Sequence, residues 1–185
     1  MAKIGVQNLL YGILTENNGT ATYGAGIKPG KAVSCNVSIS NNDAKLYADD
    51  GLAESDTSFQ SGTVSMEVDN ADITTQATLL GHAIVGDEMV RKATDTAPYV
   101  ALGRIVTKMV SGSYQYKVEF LSKVKFSEPS QEDTTKGESV EFGTTTLEGI
   151  VSTLADGTWS KSKTFDTMAD AKTYLTGLFG TTPSA

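Results

Sequence analysis

The chain has 185 residues, of which 39% are hydrophobic, and a formal net charge of −7. A single domain of that length buries roughly 70% of its unfolded surface and needs no covalent staples. The charge argues against a surface that grips phosphate with clustered Lys and Arg, and the lone cysteine, Cys35, excludes an intramolecular disulfide. The opening Met-Ala-Lys-Ile-Gly shows no apolar signal region, and no apolar run is long enough to cross a bilayer, so folding in a cytoplasm is expected.

In chain order, Lys3 to Thr15 is mostly apolar and reads as an N-terminal strand or extended arm. Asn18-Gly19 ends it with a hairpin signal, because both residues tolerate positive φ. The glycine-rich stretch from Tyr23 to Lys31 reads as a loop. Lys31 to Ser40 alternates and puts Val33, Cys35, Val37 and Ile39 on one inward face. Ala44 to Ala48 is a short strand entering an acidic loop, residues 41–61. From Asp43 to Asp56 the chain carries five acids and one base, Lys45. Gly62 to Asp69 is again a strand, with Val64, Met66 and Val68 inward. Asp72 is a helix N-cap, Ile73, Ala77 and Leu80 share one face, and Gly81 stops that helix.

Ala97 to Met109 is a strand whose Gly103 marks a bulge or a close approach. Tyr114 to Phe120 alternates, and the phase break at Leu121 predicts a bulge near Ser122. Glu128 to Glu138 is a polar loop. Val140 to Leu154 is a strand pair or one bent strand. Asp156-Gly157 is a turn before a strand from Trp159 to Phe165. A helix over residues 166–179 has the apolar stripe Met168, Ala171, Tyr174, Leu175 and Leu178, and Gly180 stops it. About eight strands and two short helices result. The fold class is β-rich α+β: one domain over residues 1–185, a sandwich or open barrel with a flanking helix and long loops.

Catalytic chemistry finds no foothold in these residues. His82 is the one histidine, and after the glycine that ends a helix it is expected to satisfy the last carbonyls. Cys35 reads as a small buried hydrophobe. One Cys and one His cannot close a zinc site. The run Asp49 to Asp56 lacks the acid spacing of a calcium loop, and Gly24 to Ala32 lacks two positions of a phosphate loop. Trp159 and the row Tyr114, Tyr116, Phe120 read as packing aromatics. No catalytic residue, cofactor or metal is expected.

The order of the pieces is what carries a signal. Met1 to Val6, the strand at Val33, the segment Lys45-Leu46-Tyr47-Ala48-Asp49-Asp50 with Glu54 and Asp56 behind it, the strand Gly62 to Asp69 and its following helix resemble the major tail proteins of long-tailed bacteriophages. Those proteins are the subunits of the tail tube. The resemblance covers most of the chain and is most specific at Leu46 to Asp56 followed by Val64-Ser65-Met66-Glu67-Val68. It implies a non-enzymatic virion protein, built in the bacterial cytoplasm, whose hexameric rings stack into a hollow tube. Implied partners are further copies of itself, a tape-measure protein, terminator and baseplate proteins, and a sheath protein where the tail contracts. No membrane is involved, and DNA passes through the bore without specific binding.

Between subunits, the expected contact residues are Asp49, Asp50, Leu52, Glu54 and Asp56 of the acidic loop. Lys117, Lys123 and Lys125 are the expected counterparts. The competing expectation is that the loop is merely solvated and its acids contribute little. A terminator or connector ring is a second reading of the chain, and a surface- or carbohydrate-binding β-sandwich is a third.

Overall fold

The computed structural model describes residues 2–48, 51–130 and 143–180. Among these are twelve strands and two helices. The strands are β1 (Ala2–Asn17), β2 (Thr20–Tyr23), β3 (Ala32–Asn41), β4 (Ala44–Ala48), β5 (Gly51–Asp56), β6 (Phe59–Val68), β7 (Ala83–Val85), β8 (Glu88–Val90), β9 (Tyr99–Val110), β10 (Ser113–Phe126), β11 (Thr145–Val151) and β12 (Ser160–Phe165). Helix α1 spans Ile73–Leu80 and α2 spans Met168–Leu178. The β-rich α+β class expected from the sequence holds, with more strands than the eight expected.

Eight strands form one antiparallel sheet in the order β2-β1-β9-β10-β11-β6-β3, with β12 attached to β10 off that path. The branch has a local cause. The β9–β10 register shifts between Leu121 and Val124, the bulge that the phase break predicts. Before it, Tyr116 to Leu121 pair with β12, and after it, Val124 to Phe126 pair with β11. At the bulge itself, the Ser122 N–H donates to the Trp159 carbonyl and the Lys123 carbonyl accepts from the Ser152 N–H. One bulged strand therefore feeds two wings.

Each face of the sheet has its own core. On the inner face Leu9, Tyr11, Met66, Leu102, Val124 and Leu147 are fully buried with Leu79 of α1. The sheet curls over this core far enough for Arg104 on β9 to reach the Cys35 carbonyl on β3, although the two strands are not sheet neighbours. On the outer face α2 covers Ala101, Ile105, Val118 and Phe120 with Ala171, Leu175 and Phe179. Gly103 lets the helix approach, since a Cβ there would lie 2.5 Å from Leu175 Cδ1. The expected stripe on α2 is correct: Ala171 and Leu175 are buried, and Met168, Tyr174 and Leu178 pack around them.

Turns and caps follow local chemistry. Asn18 and Gly19 sit at φ 49° and 79°, the pair of positive angles that a type I′ hairpin needs. Asp72 caps α1 by accepting from the Thr75 N–H at 2.7 Å, and Gly81 closes it in the left-handed region.

Four expectations need correction. Val33 does not face inward. It is the extra residue of a bulge between Ala32 and Ser34 and is 52% exposed. Ile39 keeps phase with Cys35 and Val37 but lies past the core and is 39% exposed. Ile73 is exposed, and Thr75 and Leu79 are buried with Ala77 and Leu80 on α1 instead. Gly51 to Asp56 is no loop but strand β5, paired with β4. Of the Glu128 to Glu138 loop, only residues 128–130 are among those described.

Truncating Leu175 removes the central side chain of the helix–sheet contact. Leu175→Ala should lower unfolding stability by about 2–5 kcal/mol, read as a lower midpoint in a denaturant titration with the slope unchanged. A loss under 1 kcal/mol would mean that α2 is not needed to hold the sheet.

Candidate self-assembly surface

Unpaired strand edges are the most prominent surface feature. Strands β2 and β3 end the sheet, and β12 pairs on one side only. Residues Ala2 to Gln7 of β1 pair with β9 and, among the described residues, form no ladder on the other side, where β1 and β3 come into contact across the curl without strand pairing. Such edges offer rows of backbone donors and acceptors to another chain. Two of them also present apolar side chains. Ile4 is 53% exposed at a bulge between Lys3 and Gly5, and Val33 occupies the β3 bulge. In each case the extra residue breaks the two-residue period and directs an apolar side chain to solvent.

The expected contact loop is a β arm. Pairing runs from Asn41↔Phe59 in β3–β6 to Ala44↔Asp56 and on to Ala48↔Gly51 in β4–β5. The ribbon thus continues beyond the main sheet, to which β4 and β5 do not belong. The five residues of β4, Ala44–Ala48, span about 16 Å. At the joint, the Asp56 carboxylate accepts from the Ser58 N–H at 2.9 Å, from its hydroxyl at 3.1 Å and from Asn42. The Ser58 N–H chiefly holds that carboxyl below its ordinary value, with the Ser58 hydroxyl and Asn42 adding to it. Asp56 is therefore a turn-fixing residue as well as an expected contact. Glu54 is exposed, and Lys45 pairs with Asp43 at 2.8 Å. Leu52 lies on β5, while Asp49 and Asp50 lie outside the described residues.

The expected cationic counterparts already have partners within the chain. Lys117 donates to Glu119 at 2.7 Å, and Glu119 also accepts from Arg104 Nη2 at 2.6 Å. Burial pushes the Glu119 carboxyl up, but the hydrogen bonds from Lys117 and Arg104 outweigh it and the net shift is downward. Lys123 pairs with Glu16 and lies 4.6 Å from the centre of the Tyr99 ring, with Lys125 over the same ring at 5.3 Å. Structure thus places Lys117 and Lys123 on different neighbours rather than in one patch.

Arg104, Glu119 and Lys117 sit in a cleft of about 350 Å³ at the mouth of the curled sheet. Val37 and Ile39 of β3 form one wall, Trp159 and residues 160–162 form another, and Lys3 and Lys161 stand at the opening. Trp159 stacks on Phe59 at 4.7 Å, so it packs as expected. The sequence could not show this cleft, because its residues come from five strands, four of them paired side by side and β3 brought over them by the curl.

His82 does more than the expected capping. Its backbone N–H does cap α1 through the Ala77 carbonyl, but its ring lies between two carboxylates. Nδ1 is 2.9 Å from Asp95 and Nε2 contacts Glu128, with Arg91 and the Lys92 N–H next in the network. Hydrogen bonding to Asp95 outweighs the opposing effect of burial, Glu128 adds to it, and the ring is held above the usual histidine value. The two carboxylates face opposite ring nitrogens and cannot converge on one ion. Among the described residues no His, Cys, Asp and Glu cluster could hold a metal, and no helix is long and apolar enough to cross a membrane.

No family model and no curated protein matches the chain.

The clasp makes a directional prediction. A raised folded-state value means its stabilisation is complete below about 6.5, the ordinary histidine value, and is lost as pH rises through the raised one. The melting temperature should fall across that upward window, and His82→Gln should flatten the fall. An identical pH profile in the variant would contradict the clasp.

Proposed function

We propose that this chain is a structural subunit that polymerises through its strand edges into stacked rings forming a hollow tube, as the tail-tube proteins it resembles do. The observation that carries the reading is the set of open edges on β1, β3 and β12, two of them bearing outward apolar residues at bulges. An isolated soluble domain normally blunts such edges with charge, proline, bulges or a cover. Here β1 and β3 do carry bulges, but the residues they extrude, Ile4 and Val33, are apolar and exposed. A contact between two different edges is heterologous: it closes into a ring when the rotation allows and stacks into a filament along the axis. β-Augmentation then supplies backbone hydrogen bonds, and the bulged residues supply apolar contact.

The outer face of β3, β6 and β11 suits a bore. It presents Asn36, Ser38, Thr63, Ser65, Thr146 and Glu148 with one exposed apolar residue, Ile150, and the three strands contain no Lys or Arg. With an overall charge of −7, a bore of this kind offers DNA no cations to neutralise its phosphates, so a passing duplex is not retained. The β4–β5 arm gives each subunit a long reach toward a neighbour. Catalysis has no part in this reading, and the virion tail is the location it assigns.

Negative-stain electron microscopy of concentrated protein should show tubes of uniform width. Single rings would favour a terminator subunit, and monodisperse monomers at every concentration would overturn the assembly reading. Ile4→Lys and Val33→Lys should leave folding intact, since exposed substitutions usually change stability by within about 0.5 kcal/mol. Both should abolish or shorten the tubes. Unchanged tubes in the doubly substituted chain would remove these two edges from the contacts.

A further inference from the structure

We infer that the cationic cleft between β3 and β12 is the receptor for the acidic β4–β5 arm of a second copy of the chain. This inference rests on the assembly reading and gives it a specific contact.

The cleft is out of keeping with the rest of the molecule. In a chain of net charge −7, it gathers Lys3, Arg104, Lys117 and Lys161 around a single acid, Glu119. That acid is already committed to Arg104 and Lys117, and the third arm of the Arg104 guanidinium to the Cys35 carbonyl. Lys3 and Lys161 are exposed, and among the described residues neither is in salt-bridge contact with a carboxylate, although Lys161 is near enough to Asp156 to add to the Thr158 hydrogen bonds that hold that carboxyl below its ordinary value. Beneath the cations lie Val37, Ile39, Leu102, Leu121 and Trp159. The occupant that fits is therefore extended and negatively charged, with some apolar surface.

The chain itself contains such a segment. From Asp43 to Asp56 the sequence has five acids against one base, with Leu46, Tyr47 and Leu52 among them. Its described residues, Ala44–Ala48 and Gly51–Asp56, pair as a two-stranded ribbon outside the main sheet, which lets side chains of the ribbon reach into the cleft of a second copy. Opposite charge on arm and cleft favours this register over arm-to-arm or cleft-to-cleft approach, where like charges repel.

Charge exchange tests the pairing. Lys3→Glu with Lys161→Glu reverses the rim of the cleft, and Asp43→Lys with Glu54→Lys reverses exposed positions on the arm. Each pair should raise the concentration needed for polymerisation by about tenfold or more, equivalent to about 1.4 kcal/mol. The chain carrying all four substitutions should recover assembly, which a merely misfolded variant would not. A Ser55→Cys, Ser162→Cys chain should form covalent dimers and higher multimers on mild oxidation of the assembled protein. Wild-type polymers with unaffected charge variants, or a link formed only within one chain, would overturn the arm–cleft pairing and leave the assembly reading standing. A wild-type chain that stays monomeric would overturn both.

Discussion

The bulge at Ser122 and Lys123 is the constraint on which the architecture depends. A regular β10 would pair with one strand along its whole length, and the sheet would close or continue without branching. The extra residue changes the twist and exchanges the partner from β12 to β11 within two residues. Two consequences follow. The β11-β6-β3 wing curls over the inner core until Arg104 meets the Cys35 carbonyl. The β12 wing stays behind with α2, and between the wings a cleft remains whose walls are strands with open edges. Edge, cleft and projecting ribbon thus originate in one local irregularity.

Much of this was legible in the sequence wherever a short-range rule decides the outcome. The Asn18-Gly19 turn, the Asp72 cap, the Gly81 stop, the β10 bulge and the α2 stripe all depend on residues within a few positions of one another. Val33 and Ile39 were misplaced because alternation gives a face only while register is unbroken and only over the length of strand the core reaches. A bulge at Val33 breaks the first condition, and the mouth of the sheet breaks the second for Ile39. Strand β5 was hidden by its composition: Gly51, Glu54 and Asp56 are poor strand formers, and pairing with β4 prevails over propensity. The His82 clasp joins residues 82, 95 and 128, a separation that no spacing rule reaches.

The expected contact residues show the same division. Alternation and acid density pointed to the arm, and the ribbon does project from the sheet. Its expected counterparts, Lys117, Lys123 and Lys125, all lie on β10. Lys123 proves to be occupied by Glu16 and Tyr99, whereas Lys117 lies in the cleft with Arg104 and Glu119. Lys3 and Lys161 were missed because neither stands in a motif. They come to line one cleft only because β1 flanks β9 and β12 flanks β10 in the folded sheet.

In this view the isolated chain is a folded core with unfinished borders. Its stability comes from the two apolar faces of the sheet, and the proposed assembly draws on the edges that remain unpaired in one chain. Amide hydrogen exchange on the free and the assembled protein tests that most directly. Assembly through these borders predicts that the edge-facing amides of Ala2–Gln7, Ala32–Asn41 and Ser160–Phe165 exchange quickly at low concentration and become protected in the polymer, while β9 stays protected in both. Equal exchange at those edges in the two states would contradict it.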